Sequence, residues 1–272
     1  MAEENKDLEQ VTQEQDLEVI DQQVQAREEA EAAADNIDTV PEPEQESIAP
    51  AGDQPMEPVE GYVDDFPVTE EAHAELDTEY LRSDPQVVGY KNLEEQEIVY
   101  DFVASNFDAT QESILDVGCG RGDFLTHIQT LYQADIKYTG IDMNKVLIGV
   151  AKEMNPTATF SATNLFKLDG NYASDWVINI GGLSIMYEPV TDDFNQMEGL
   201  ANTVSKMMEL ADTGIVITLL SSNVPDVFDE QYLVFDPVEV LDWALNEYGQ
   251  LGGNVRLDHS MADSIFTLTI YK

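Results

Sequence analysis

The sequence predicts an α/β domain with a doubly wound, mostly parallel sheet, preceded by an acidic tail. Short apolar runs alternate with segments of helical periodicity from about residue 92 to residue 248. The alternating glycines Gly118, Gly120 and Gly122 separate the first apolar run from a helical pattern. The last two predicted strands, at about 253–258 and 264–271, are too close for a crossover helix, so they must pair antiparallel.

The predicted elements follow the order that such a sheet requires. Asn92 and Glu95 have capping-box spacing, which indicates a first helix to about Phe107. The residues expected on buried helix faces are Ile98, Val99, Phe102 and Val103 in that helix and Phe124, Leu125, Ile128 and Leu131 in the next. Strands are predicted at 113–117, 136–141, 158–162, 176–180 and 214–220, and further helices at 122–133, 144–153, about 194–211 and 237–248.

The glycine-rich turn predicts a binding site for a small ligand. Glycine at every second position removes the Cβ atoms that would keep a ligand from the backbone, and it permits positive φ. A tight strand-to-helix turn is the alternative. A second signal favours the ligand: the second strand ends in Asp142, 20 positions after Gly122. A Rossmann-type sheet places there an acid that binds ribose hydroxyls, so the two signals together predict a nucleoside site.

These residues also carry a family resemblance. The run Asp116-Val-Gly-Cys-Gly-Arg-Gly122, followed by Gly140-Ile-Asp142-Met, resembles the nucleoside-binding half of class I S-adenosylmethionine-dependent methyltransferases. Its third glycine comes two positions after the second, whereas the dinucleotide fingerprint has three. The resemblance covers residues 80–272 in element order. It implies a seven-stranded Rossmann-like sheet with an antiparallel last strand, and S-adenosyl-L-methionine as cofactor.

The resemblance also implies roles for individual residues. Asp116 is expected to contact the methionine moiety, Asp142 the ribose hydroxyls, and the three glycines of the loop to admit the cofactor. Met143 is expected to pack against adenine, with an ordinary core methionine as the alternative. Asn164 stands where the family often has an aspartate for the adenine amino group; it either accepts that hydrogen bond or only forms a turn.

The catalytic residue is not specified by the sequence. Methyl transfer from a sulfonium is an in-line displacement, so the protein mainly aligns the reactants and an obligatory catalytic group is not required. Asn179, Tyr187 and Glu188 follow the fourth strand and are the candidates for a base where the acceptor needs one. Gly181 and Gly182 either let a substrate approach or allow a sharp bend.

The remaining candidate groups predict no metal site. Cys119 is the single cysteine, which excludes an internal disulfide and a cysteine cluster, and it is interpreted as a packed loop residue. His73 falls in the tail, His127 in a helix and His259 in a strand-end turn, so solvated or packed roles are expected for all three.

The content of apolar side chains divides the chain at about residue 80. The formal net charge is −43, and acidic residues are common on both sides of this boundary. Residues 1–79 are sparse in apolar side chains and contain a proline-rich stretch at 40–58, which predicts a disordered tail and linker. Residues 80–272 form the predicted domain. The tail is interpreted either as a solubilising extension or as a segment that folds on a protein partner.

The same features restrict substrate and location. The acidic charge and the absence of the Asn-Pro-Pro-Tyr, Asp-Pro-Pro-Tyr and Pro-Cys motifs of DNA methyltransferases disfavour nucleic acid, which leaves a small molecule or a protein side chain. The acidic beginning and the lack of long apolar runs predict no signal peptide or membrane span, hence a cytoplasmic protein. A disordered acidic extension on such a domain also resembles tailed-bacteriophage proteins. The alternative function is a catalytically silent methyltransferase-like binding or assembly protein.

Overall fold

The structure is a computed structural model that describes residues 70–184, 195–224, 232–249 and 254–272. Short 3-10 turns lie at Pro85–Val88, Leu165–Lys167 and Gly170–Tyr172. The helices are α1 Glu70–Ala74, α2 Thr78–Ser83, α3 Leu93–Ala104, α4 Asp123–Tyr132, α5 Lys145–Met154, α6 Gln196–Leu210 and α7 Pro237–Glu247. The strands are β1 Ile114–Val117, β2 Tyr138–Asp142, β3 Thr159–Ala162, β4 Ser174–Ile180, β5 Ala211–Ser221, β6 Val234–Phe235, β7 Val255–Ala262 and β8 Ile265–Tyr271.

The strands form one sheet in the order β3-β2-β1-β4-β5-β8-β7. The first five run parallel, whereas β8 pairs antiparallel with β5 and β7 antiparallel with β8. This confirms the predicted fold class. The two-residue strand β6 is an addition that the sequence pattern missed, and it pairs parallel with the end of β5. The order reverses direction between β1 and β4, and in open α/β sheets ligands bind at such a switch point.

The sheet separates two apolar layers, as the doubly wound prediction requires. Helices α3, α4 and α5 pack on one face through residues such as Val99, Phe124 and Ile148. Helices α6 and α7 pack on the other face through Leu200 and Val240, among others. Each helix therefore buries one stripe, and the strands between them are buried on both sides.

Two predicted helix faces are wrong in part. Helix α3 begins after Asn92, whose side chain accepts the Glu95 amide hydrogen, but it ends at Ala104 and not at Phe107. Its buried stripe includes Val99, Tyr100, Val103 and Ala104, so Ile98 lies outside the stripe and is 45 % exposed, and Phe102 is only half-buried. Leu131 of α4 is 51 % exposed, because Tyr132 packs on the core in its place. Tertiary contacts decide which face of a helix turns inward.

The described fold begins before the predicted start of the domain. Helix α1 lies at the end of the segment that the sequence assigns to the tail, and α2 spans the predicted boundary at residue 80. Long-range contacts hold this region: the Arg121 guanidinium donates to the carbonyl oxygen of Leu81 at 2.7 Å, and Arg82 pairs with Glu153 of α5. Residues 70–83 are therefore part of the structure that surrounds the glycine-rich turn.

Candidate functional site

A cavity opens at the carboxyl ends of the parallel strands. It comprises about 940 Å3, including space open to solvent. The glycine-rich turn and Asp142 line one end, and Ser184, Thr218 and Tyr232 line the other. The predicted nucleoside-binding elements therefore face a common space at the topological switch point of the sheet.

The glycine-rich turn has the backbone geometry that only glycine adopts readily. Gly118, Gly120 and Gly122 have φ of +77°, +53° and +81°. A Cβ atom at Gly118 would lie 3.2 Å from Cα of Gly182, and one at Gly122 would lie 2.9 Å from the Phe160 ring. Glycine is thus required both for conformation and for close packing. Gly118 and Gly120 also line the cavity, so the turn approaches the ligand space with bare backbone.

Asp142 lies at the end of β2 and fastens the turn to the sheet. Its Oδ2 accepts the backbone amide hydrogen of Gly120 at 2.9 Å, and its Oδ1 accepts that of Asn144 at 2.8 Å. Burial raises the pKa of this carboxyl, whereas the hydrogen bonds from Asn144 and Gly120 oppose the shift. Each carboxylate oxygen has a second acceptor site, so capacity remains for two ligand hydroxyls.

Asp116 is the penultimate residue of β1, two positions before Gly118, and it does not line the cavity. It is only 2 % exposed. The Tyr138 hydroxyl donates to Oδ2, but Oδ1 has no hydrogen-bond partner among the described residues. Burial raises the pKa of Asp116 to about 7; the Tyr138 hydrogen bond opposes that rise and the Asp142 charge adds to it. A buried carboxyl with an unpartnered oxygen is costly to ionise unless a cationic or hydrogen-bonding group arrives.

The two residues expected near adenine lie together. Met143 is 45 % exposed, so it is not a core methionine. The Asn164 side-chain nitrogen donates to the Met143 sulfur at 3.3 Å. Its side-chain oxygen accepts the backbone amide hydrogen of Phe166 at 2.8 Å. Asn164 therefore forms a turn, and its carbonyl oxygen still has one free acceptor site. Phe166, which follows in this turn, is also exposed. Neither Met143 nor Asn164 lines the cavity, and their contact with adenine stays a prediction.

Asn179 holds the end of β4 and does not line the cavity. Its amide nitrogen donates to the Val117 carbonyl oxygen at 2.7 Å, and its oxygen accepts the Leu183 amide hydrogen at 3.2 Å. Both polar atoms of the Asn179 side chain are therefore hydrogen-bonded, which favours a structural role over the role of a catalytic base. A Cβ atom at Gly182 would lie 2.9 Å from the Asn179 amide, while Gly181 has φ of +75°. The glycine pair thus forms a sharp bend and also lines the cavity.

The other two catalytic candidates, Tyr187 and Glu188, lie outside the described residues. Cys119 is buried in the cavity wall, and burial raises the pKa of its thiol, so it is a poor nucleophile. His127 and His259 form hydrogen bonds near the surface, with Asp101 and with the Asp263 carbonyl oxygen. Within the described ranges, no cluster of three or more histidine, cysteine or acidic side chains has the arrangement of a metal site.

His73 is the site residue that the sequence did not reveal. It lines the cavity and is buried, although the sequence places it in the tail. Its five-residue helix α1 is too short to show periodicity, and the surrounding sequence is rich in acids. Its packed state agrees with one of the two roles expected for the histidines.

No described helix has the length and apolar character needed to cross a membrane.

Comparison with known proteins agrees with this geometry. A family model described as a methyltransferase domain matches residues 108–229, which include the glycine-rich turn, Asp142 and strands β1 to β5. Comparison with curated proteins found no match. Residues 108–229 thus resemble a methyltransferase domain, and the sheet that they build has a Rossmann-like fold.

Two solved structures with a TM-score of 0.51 show the same fold at low sequence identity. A plantazolicin methyltransferase in complex with SAH is 16% identical with a TM-score of 0.51, over 75% of this chain and 95% of that chain. A small RNA methyltransferase is 12% identical with a TM-score of 0.51, over 66% of this chain and 25% of that chain. Magnesium protoporphyrin IX methyltransferase from Synechocystis PCC 6803, with bound SAH, is 18% identical with a TM-score of 0.47, over 70% and 85%.

Proposed function

We propose that this chain is an S-adenosylmethionine-dependent methyltransferase that acts on a small molecule or a protein side chain by in-line methyl transfer. One observation carries the proposal: the bare glycine turn and the Asp142 carboxylate line the same cavity at the switch point of the sheet. The family model matched over 108–229 and the SAH bound to the plantazolicin neighbour support the choice of cofactor.

The residues present fit this cofactor. Asp142 keeps an acceptor site on each oxygen for the two ribose hydroxyls. The unpartnered Oδ1 of buried Asp116 suits the cationic amino group of the methionine moiety, either directly or through a water. Met143 and Asn164 offer an apolar surface and an acceptor for adenine. When bound, the cofactor supplies a methyl group on a sulfonium, which is already a good leaving group.

The chain contributes positioning and exclusion of water. Val88, Tyr90, Ile180 and Leu220 make much of the cavity wall apolar. The Thr218 hydroxyl accepts the Gly181 amide hydrogen at 2.8 Å, and the Ser184 hydroxyl accepts the Leu220 amide hydrogen at 3.3 Å. Each hydroxyl keeps its own proton to donate, so these groups can orient an acceptor molecule. Tyr187 and Glu188 remain the candidates for a base.

The methyl acceptor is proposed from charge and not from the fold. The two neighbours with a TM-score of 0.51 are named for plantazolicin and for small RNA, so the fold is compatible with different acceptors. A net charge of −43 repels phosphates, which supports a small molecule or protein side chain over nucleic acid. A cytoplasmic location, a bacteriophage source and a protein partner for the acidic tail stay predictions of the sequence.

Calorimetric titration with S-adenosylmethionine and with S-adenosylhomocysteine (SAH) tests the proposal. We expect both to bind at one site per chain. Transfer of a labelled methyl group to candidate small molecules and proteins then tests catalysis. Failure of correctly folded protein to bind either ligand would overturn the proposal. Binding without transfer to any acceptor would favour the catalytically silent binding protein.

A further inference from the structure

A buried histidine connects three parts of the cavity wall. The Nε2 atom of His73 lies 2.9 Å from the Val87 carbonyl oxygen, and its Nδ1 atom lies 3.1 Å from the Asn144 side-chain nitrogen. A carbonyl oxygen only accepts and an amide nitrogen only donates, so this pattern assigns a neutral imidazole with its proton on Nε2. His73 therefore links α1 to the 85–90 segment and to the beginning of α5.

The Asn144 side of this link leads directly to Asp142. The Asn144 side-chain oxygen accepts the amide hydrogens of Val146 and Leu147, which caps α5 and fixes the orientation of the side-chain amide. The Asn144 backbone amide donates to Asp142 at 2.8 Å. One hydrogen-bonded residue thus separates His73 from the carboxylate proposed to bind ribose.

The Val87 side of the link covers the glycine-rich turn. Val88 follows directly, and its Cγ1 atom lies 3.1 Å from the position of a Cβ atom on Gly120. Val88 and Tyr90 both line the cavity. The bond from Arg121 to the Leu81 carbonyl oxygen holds the same region at a second point. His73 and residues 87–90 therefore form one side of the ligand space.

We propose that His73 is a positioning residue for the cofactor: by joining Val87 to Asn144, it keeps the 85–90 segment closed over the glycine-rich turn and Asp142. The inference rests on the proposed function, because it assigns a role to residues that surround the same cofactor. Without His73, the segment loses its link to Asn144 but keeps the bond from Arg121 to the Leu81 carbonyl oxygen, so it opens more often and water gains access to the nucleoside end. A ligand whose closed site is populated less often binds with a proportionally lower apparent affinity.

Three variants test this role through the dissociation constant for SAH. His73→Ala removes both hydrogen bonds, and we expect about tenfold weaker binding or more, the scale of a buried hydrogen bond. His73→Gln retains a donor and an acceptor, so it should recover most of the affinity. His259→Ala is the matched control, because His259 also lies 2.9 Å from a carbonyl oxygen, that of Asp263, but does not line the cavity.

Rescue by His73→Gln is the readout specific to the two hydrogen bonds, because glutamine keeps a donor for the Val87 carbonyl oxygen and an acceptor for the Asn144 amide. His73→Leu fills the same space without either hydrogen bond. It should bind SAH as weakly as His73→Ala.

Either of two results would overturn the inference: folded His73→Ala that binds SAH like the parent, or His73→Gln that binds SAH no better than His73→Leu. Should His73→Ala fail to fold, the comparison of His73→Gln with His73→Leu decides alone. A parent protein that does not bind SAH would overturn the proposed function and this inference with it. Loss of binding confined to the variants would leave the proposed function standing.

Discussion

Replacement of Asp116 by asparagine should stabilise the protein without ligand and weaken cofactor binding. Asp116 is buried with one unpartnered oxygen, and its pKa is raised from 3.8 to about 7. Above pH 7 the folded protein must therefore hold a buried charge that the unfolded chain exposes to water. This rise in the pKa corresponds to about 4 kcal/mol, which is the upper limit of the gain in the free energy of unfolding when the charge is removed.

The asparagine side chain offsets part of this gain. Its oxygen can still accept the Tyr138 hydroxyl, but its NH2 group occupies the position of the unpartnered oxygen, which costs about 1–3 kcal/mol. We expect a net gain of about 1–3 kcal/mol in the free energy of unfolding at pH 8. The gain should decrease as the pH falls through 7, because Asp116 of the parent then becomes neutral in the folded state. It should disappear towards pH 4, where Asp116 of the unfolded parent also becomes neutral.

Urea unfolding at pH 8 and pH 5 measures this difference, and calorimetry with SAH measures the affinity. Asp175→Asn is the control of opposite sign, since hydrogen bonds from Ser113 lower the pKa of that carboxyl, so its removal should destabilise at neutral pH. SAH should bind to Asp116→Asn about 10-fold to 100-fold more weakly. An Asp116→Asn protein equally destabilised at both pH values, with unchanged affinity for SAH, would show that Asp116 neither carries a buried charge at pH 8 nor contacts the ligand.

Three further changes test other contacts of the site. Asp142→Ala should lower the affinity for SAH by about 1.5–3 kcal/mol and also the stability towards urea, because both carboxylate oxygens accept backbone amide hydrogens; unchanged stability would contradict this role. Tyr138→Phe should raise the Asp116 pKa further, so SAH binding should weaken at pH 7 and recover towards pH 9 in calorimetry; a parallel pH profile would contradict it. Deletion of residues 1–69 should leave the melting temperature and SAH affinity unchanged, whereas deletion of residues 1–76 should lower both; equal behaviour of the two truncations would show that α1 contributes nothing.

The sheet and the glycine-rich turn could be predicted because their signals are local. Buried strands are continuous apolar runs, and positive φ at alternate positions leaves a glycine pattern that is visible in the sequence. Asp142 could be predicted because one crossover helix sets its distance from Gly122. The antiparallel end of the sheet followed from the short connection before β8.

Features that depend on distant contacts could not be predicted. His73 and α1 are held by Asn144 and Val87, and neither contact leaves a pattern in a five-residue helix. The partner of Asp116 is Tyr138 because β1 and β2 pair in a specific register, which the sequence alone does not determine. The apolar side chain and helical spacing of Ile98 predict a core position, whereas the packing of α3 on the sheet turns this side chain outward.

A crystal structure of the full chain grown with SAH would show whether this cavity holds the cofactor. We expect the ligand beside the glycine-rich turn, with both ribose hydroxyls within hydrogen-bond distance of Asp142 and the amino group directed towards Asp116. SAH bound elsewhere, or bound in this cavity without contact to Asp142, would contradict it.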